Sequence, residues 1–188
     1  MMRALRHCLS LMTLLVSAVH AQDHSAHAGH GAAPPTLPRE VGQDAYAAIA
    51  EIVAILTQDA ATDWSKVDVE ALRQHLRDMQ LVTVAATVTA QEIPGGALFL
   101  VRGEGEVLGA IRRMAPAHAA ATVSELPFLV RVSDRSDAVE VRITAATPTD
   151  AREVARIRGL GFIGWIASGG HHQAHHLAIA RGEAVHRH

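Results

Sequence analysis

Apolar side chains recur every three or four residues in two stretches, a spacing typical of amphipathic helices. The first stretch carries Tyr46, Ile49, Ile52, Val53 and Leu56. The second carries Val69, Leu72, Leu76 and Met79. Ser65 or Asp68 precedes the second stretch as a candidate N-cap. We therefore predict two helices separated by a turn at residues 59–63.

After the second helix the apolar spacing changes to two residues. Val82, Val84, Ala86 and Val88 alternate with threonine and alanine, which predicts a half-buried strand. The turn sequence Ile93-Pro94-Gly95-Gly96 and a returning strand over residues 97–102 complete a hairpin. A helix follows over residues 104–122, with Val107, Ile111, Met114 and His118 on one side. Pro116 is expected to kink this helix or to end its regular part.

The same order of elements then recurs. Strands are predicted around Phe128–Val132 and Val139–Ile143, with a turn at residues 134–137. Thr147-Pro148-Thr149-Asp150 predicts a helix start, with an N-cap, proline at the first position and an acid at the third. This segment extends to about Arg181, and its glycines mark where it can break. The predicted fold is α+β: duplicated ββα units form a four-stranded antiparallel sheet with helices on one face, preceded by N-terminal helices.

The first 21 residues have the features of a secretory signal peptide. Arg3 and Arg6 supply positive charge, residues 8–18 are almost entirely apolar, and Val19-His20-Ala21 offers a cleavage site. Residues 22–38 contain scarcely any large apolar side chain, which predicts a disordered arm over residues 22–42 that contains His24, His27 and His30. We expect one folded domain over residues 43–183, a disordered tail over 184–188, and a periplasmic location.

Composition narrows the possible functions. The formal net charge of −2 gives no electrostatic support for binding nucleic acid. The only cysteine, Cys8, lies in the predicted signal peptide, so a mature chain has no thiolate ligand or nucleophile. The sequence contains no HExxH, nucleophile elbow or phosphate loop. We expect a binding protein and not an enzyme, with a redox metalloenzyme as the alternative.

Histidine is the unusual residue, with 13 in 188 positions. Three groups place candidate metal ligands four residues apart on predicted helices, where side chains share one face. They are His75 with Met79, Met114 with His118, and the run His171, His172, His175 and His176. If their helices lie on one face of the sheet, these groups can converge on one metal centre.

Each group also has a simpler explanation. A methionine on an apolar stripe commonly fills the core, and an inward histidine commonly finds a carbonyl or carboxylate partner. The run of four histidines has no packing explanation, because a core stripe does not include adjacent positions. Its alternative is a pH switch, since neighbouring imidazoles repel one another when they are protonated.

The ligand types favour copper. Thioether with imidazole suits Cu(I), and imidazole alone suits Cu(II) or Zn(II). We therefore expect a copper-binding protein for buffering, delivery or tolerance. Its partners would be the metal ion and another periplasmic metal-handling protein. The alternatives are a zinc-binding or pH-sensing interaction protein and a non-covalent haem protein with His/Met or His/His axial ligands.

Parts of the chain resemble small exported bacterial proteins of no settled activity. The similar segments are His75-Leu-Arg-Asp-Met79, Met114-Ala-Pro-Ala-His118 and residues 160–183 with His-His-Gln-Ala-His-His. The resemblance covers most of the predicted domain and implies no particular mechanism.

Overall fold

The computed structural model describes residues 44–183, which form five helices and four strands. In chain order these are α1 (Ala45–Gln58), α2 (Val69–Ala85), β1 (Thr87–Ile93), β2 (Gly96–Arg102), α3 (Glu106–Ala121), β3 (Phe128–Asp134), β4 (Val139–Ala145), α4 (Ala151–Ile166) and α5 (His172–Ala180). The predicted signal peptide, histidine-containing arm and C-terminal tail lie outside the described residues.

Helices α1 and α2 begin at aspartates whose carboxylates accept hydrogen bonds from backbone amides. Asp44 caps α1. Asp68 caps α2, so of the two N-cap candidates, Ser65 and Asp68, the second is the one that the structure uses. The predicted stripe of α1 is partly wrong, because Tyr46 is 84% exposed and Val53 is also exposed. Ala48 and Ile55 face the core in their place.

The strand predicted over residues 82–86 is wrong. Helix α2 continues to Ala85, and β1 begins only at Thr87. Val82 is buried in the main core beside Met79, an i, i+3 pair that belongs to a helix. The hydroxyl of Thr83 donates to the Met79 carbonyl at 2.7 Å, which satisfies it within the helix. Tertiary packing of this turn thus outweighs the strand preference of the valine and threonine residues.

The four strands form one antiparallel sheet in the order β1-β2-β4-β3. Phe99 in the centre pairs with Ala90 of β1 and with Val141 of β4. The alternate positions on the helix-covered face are buried: Ala97, Phe99, Val101, Val139, Val141 and Ile143. The α+β fold with a four-stranded antiparallel sheet is therefore confirmed.

The order ββα occurs twice along the chain, as β1-β2-α3 and β3-β4-α4. Helix α3 packs against β2, β3 and β4, while α4 packs against β1, β2 and β4. Each helix therefore covers the centre of the sheet together with the outer strand of the other unit. The origin of the two units by duplication stays a prediction.

Helix α3 ends at Ala121, close to its predicted end at residue 122, so Pro116 lies inside the helix and does not end it. The start of α4 differs from the prediction. Helix α4 begins after Asp150 and not after Thr147, because the Asp150 carboxylate accepts from two backbone amides of the first turn. The Thr147 carbonyl instead accepts from the Asp150 amide at 2.9 Å in the preceding turn.

The last helical segment is broken twice at glycines. Gly161 has φ 63° and ψ −168°, which interrupts α4. Gly169, at φ 97°, lies in the link that leads to α5. Helix α5 then packs against α1 and α2 in a second apolar core, and the Asp68 amide donates to the Ala180 carbonyl at 2.8 Å. These contacts fix the histidine-bearing helix against α2.

Among residues 44–183, no helix combines the length and apolar character required to cross a membrane.

Candidate metal centre

Six histidines from three helices meet beneath the link between α4 and α5. Helix α2 supplies His75, α3 supplies His118, and the α5 segment supplies His171, His172, His175 and His176. His75, His118 and His176 are buried, and the other three are half-buried. The histidines of the three predicted groups therefore lie near one another in the structure.

His118 is held in a fixed orientation by α4. Its side chain is 3% exposed, and its Nε2 lies 2.8 Å from the carbonyl oxygen of Trp165. A carbonyl can only accept, so Nε2 carries the proton and Nδ1 carries the lone pair. Histidines that bind metals commonly donate their other ring N–H to a carbonyl or carboxylate in this way. The hydrogen bond therefore prepares His118 to act as a ligand through Nδ1.

His171 and His172 approach His118 because the chain turns sharply before α5. The His118 ring centroid lies 5.1 Å from that of His171 and 5.6 Å from that of His172. The Glu125 carboxylate oxygen Oε2 accepts from the Gly170 amide at 2.9 Å and lies 3.7 Å from His171 Nδ1. Glu125 thus anchors the link and places a negative charge beside the imidazoles.

His118, His171 and His172 form a compact set of potential ligands, which we call the triad. Each can offer one ring nitrogen, and these three atoms all lie within 4.8 Å of one another. The triad lines a cavity of about 20 Å³ together with His75, His175 and Met114. Since a single water-sized sphere requires roughly 10–15 Å³, the cavity has the size of one ion or water.

One polar atom of the triad is buried without a hydrogen-bond partner. His172 Nε2 is buried and has no hydrogen-bond partner among residues 44–183. Such an atom costs about 1–3 kcal/mol relative to its hydration in the unfolded chain. A metal ion in the cavity would satisfy it, so the residues present fit a bound cation.

Two rings of the triad, His118 and His172, are in the protonation state that metal binding needs. Burial, followed by the nearby His171 and His172, lowers the pKa of His118 to about 4. Burial and His171 likewise lower the pKa of His172, although a backbone hydrogen bond with Ser168 and the charge of Glu125 oppose the shift. Both rings are therefore neutral at pH 7, and neutral imidazole is the form that binds metals.

The three remaining histidines continue the cluster along α5. The His75 ring centroid lies 4.8 Å from that of His175 and 5.3 Å from that of His176. The ring centroid of His175 also lies 6.5 Å from that of His171, which belongs to the triad. The six imidazoles thus form one continuous cluster.

The two predicted methionine ligands occupy different positions. Met114 is buried and lines the histidine cavity. Met79 does not line that cavity, but it lines a neighbouring pocket of about 320 Å³ together with Met114 and His172. Met114 therefore lines both spaces, whereas Met79 lines only the larger one.

Three further contributions to the site were not predicted from the sequence. They are the Trp165 carbonyl, the Glu125 carboxylate, and Gly169, where an added Cβ would lie 2.9 Å from both Glu125 Oε2 and His171 Nδ1. The first two act across distances of 47 and 45 residues in the chain, and no local pattern marks them. The sequence marked the glycines of this segment only as positions where the helix can break, and not for this close approach.

Comparison with protein-family models, curated proteins and solved structures gives no match. The interpretation of the site therefore depends on its geometry and chemistry.

Proposed function

We propose that this is an exported periplasmic protein that binds copper through His118, His171 and His172 and serves in copper buffering, delivery or tolerance. The observation that carries the proposal is the triad itself: three imidazole nitrogens within 4.8 Å of one another around an ion-sized cavity. The signal-like first 21 residues support export.

The donor set favours copper over zinc. Zinc prefers histidine, cysteine or carboxylate ligands and seldom uses methionine. The Met114 side chain lines the triad cavity, and a thioether beside imidazoles suits copper, especially Cu(I). Zinc is the second candidate, because the three imidazoles with the nearby Glu125 carboxylate also suit it.

Cavity size separates this proposal from haem binding. A space of about 20 Å³ between the imidazoles accepts an ion and not a macrocycle. The histidines also pack against one another, with His171 and His172 ring centroids 4.3 Å apart. Axial ligation of haem by this cluster would require the helices to separate.

The test is a competitive titration of the purified metal-free protein with Cu(I), Cu(II) and Zn(II). We expect one ion to bind tightly at the triad. Cu(I) and Cu(II) should both be preferred over Zn(II), and by more than the generally higher affinity of copper for such ligands accounts for. His118→Ala and His172→Ala should each weaken binding by more than about 100-fold, beyond the 10–100-fold losses typical of outer hydrogen-bond partners.

Two controls make the titration specific. Replacement of His24, His27 and His30 together by alanine should leave the tight site unchanged. Met114→Leu removes the thioether at similar volume and should weaken Cu(I) binding while leaving Zn(II) binding unchanged. Equal losses of both ions in this variant would argue for the zinc interpretation, and failure of the unaltered protein to bind either ion would refute the proposal.

A further inference from the structure

Both methionines that follow the predicted signal peptide line one pocket beside the triad. Met79 of α2 and Met114 of α3 contribute to this space of about 320 Å³, which we call the methionine pocket. The other three methionines, Met1, Met2 and Met12, lie within the first 21 residues. Leucine fills a similar volume, so packing alone does not select methionine at both positions. The shared position of the two thioethers indicates a role for their sulfur atoms.

The methionine pocket shares a wall with the small cavity of the triad. Met114 and His172 line both spaces, and Met114 is 6% exposed. Met79 lines only the larger space and is half-buried. Four other lining residues are exposed to solvent: Thr83, Ile163, Ala167 and Gly169. The pocket therefore leads from the surface past Met79 to Met114 and the triad.

The donor atoms inside the pocket favour a soft ion. No described residue that lines it is an aspartate, glutamate, lysine or arginine. Its side chains are apolar or thioethers apart from Thr83, Gln173 and His172. Thioethers bind Cu(I) well, whereas Zn(II) seldom uses methionine and would lose hydration without gaining good ligands. Cu(I) therefore crosses this pocket more easily than Zn(II).

We propose that the methionine pocket is the path by which Cu(I) enters and leaves the triad, with Met79 as its first ligand and Met114 as its second. This inference rests on the proposed function, because the path ends at the ion held by the triad. Movement occurs by ligand exchange: a bond from copper to the next donor forms as the bond to the previous donor breaks, and the oxidation state stays the same. Zn(II) enters instead from the side of His171 and Glu125, which are partly exposed.

A ligand on the path has a kinetic effect that a ligand in the final site lacks. It lowers the barrier in both directions, so its removal slows loading and release by the same factor and leaves the equilibrium affinity unchanged. Met79→Leu removes the sulfur at similar volume. We expect it to slow the release of Cu(I) by at least about tenfold, which corresponds to about 1.4 kcal/mol in the barrier. The release of Zn(II) should be unchanged.

The experiment follows release of each ion under anaerobic conditions. The full chain carries alanine in place of every histidine outside residues 44–183, so that only the described domain offers imidazoles. Cu(I)-loaded protein is mixed with excess bicinchoninate, and Zn(II)-loaded protein with excess pyridylazoresorcinol, whose coloured complexes report the released ion. Rates are compared at chelator concentrations where they no longer rise, and affinities are measured separately by competition at equilibrium.

A second variant tests the path without altering a donor atom. Ala167→Leu narrows the exposed end of the pocket and should slow Cu(I) release as Met79→Leu does, again with unchanged affinity. Ala174→Leu is the matched control, because Ala174 is also exposed but lines neither the methionine pocket nor the triad cavity. It should release Cu(I) at the rate of the unaltered chain. Circular dichroism verifies the fold of each variant.

The outcomes distinguish this inference from the proposed function. Unchanged Cu(I) release in either Met79→Leu or Ala167→Leu would refute the path and leave the triad intact, as would equal slowing of Zn(II). Faster release of Cu(I) from Met79→Leu with a matching loss of affinity would also refute it, because Met79 would then be a ligand of the resident ion. If the unaltered chain binds no copper, the proposed function itself fails and the path fails with it.

Discussion

The Nε2 atom of His118 lies 2.8 Å from the carbonyl oxygen of Trp165, so the end of α4 sets the orientation of the histidine that α3 contributes. The Trp165 ring also packs edge-on against the His118 ring, with centroids 4.8 Å apart. The candidate metal centre thus contains a side chain, His118, whose rotation is restricted by its neighbours. Such restriction lowers the ordering cost of binding an ion.

Trp165 should report copper binding directly. It is 1% exposed beside His118, whereas Trp64 is 58% exposed, and the chain has only these two tryptophans. In a Trp64→Phe background, one equivalent of Cu(II) should remove most of the emission, because Cu(II) quenches nearby indoles. Zn(II) should leave the intensity largely unchanged. His172→Ala in the same background should abolish quenching at one equivalent, and quenching that survives this change would place the ion elsewhere.

The metal-free protein should lose stability as the pH falls from about 6.5 to 4. The pKa values of His118 and His176 are lowered from 6.5 to about 4, so in this range the unfolded chain binds protons that the folded chain does not. The free energy of unfolding should fall by up to about 1.4 kcal/mol per pH unit for each histidine. Below pH 4 these two residues should cause no further loss.

Urea denaturation between pH 8 and pH 4 measures this dependence. His118→Gln cannot take up the proton, so its stability should depend less steeply on pH than that of the unaltered protein. Added metal should steepen the dependence, because protons compete with the ion for the imidazoles. An equal slope with and without His118 would show that its ring is not held neutral by the fold.

Sequence periodicity predicted much of this fold because it reflects burial on one face. Val139, Val141 and Ile143 alternate with polar residues in the sequence and lie on the covered face of β4. The predicted boundary between α2 and β1 was wrong because the short run of apolar residues around Val82 is compatible with a strand and also with the last turns of a helix. Only packing of that turn into the core decides between them.

The candidate site was predicted in part, for a similar reason. The four-residue spacing placed Met114 and His118 on the inner face of α3, and both are buried. Spacing within single helices could not show that His118 meets His171 and His172 while Met79 lies in the next pocket. That division depends on how α2, α3 and α5 cross, which is a property of long-range contacts.

The ion pair between Asp78 and Arg113 should stabilise the contact between α2 and α3, the helices that carry His75 and His118. Arg113 donates through Nε and Nη2 to the two carboxylate oxygens of Asp78, each at 2.7 Å, and Asp78 is buried while Arg113 is partly exposed. We expect Arg113→Ala to cost about 2–4 kcal/mol of unfolding free energy, because it leaves a buried carboxylate without its partner.

Asp78→Ala provides the matched comparison. Without Asp78, the Arg113 guanidinium can turn toward water, so the loss should be smaller, about 1–2 kcal/mol. Chemical denaturation of both variants at pH 7 measures the difference. Equal losses of unfolding free energy in the two variants would show that the Asp78 carboxylate is hydrated well enough to remain charged without Arg113.

Gly169 should be required for the triad even though it binds nothing itself. Its φ of 97° is unfavourable for any residue with a Cβ, and that atom would lie 2.9 Å from both Glu125 Oε2 and His171 Nδ1. We expect Gly169→Ala to reduce stability by about 1–2 kcal/mol and to weaken metal binding by at least about tenfold, because it forces His171 away from His118.

Gly170→Ala is the control, since a Cβ there meets nothing within 4 Å and its amide can still donate to Glu125. If both substitutions weaken binding equally, general stiffening of the link and not displacement of His171 would be the cause. If Gly169→Ala lowers stability but leaves metal affinity unchanged, His171 is not a ligand, and the triad would have to be redrawn around His118 and His172.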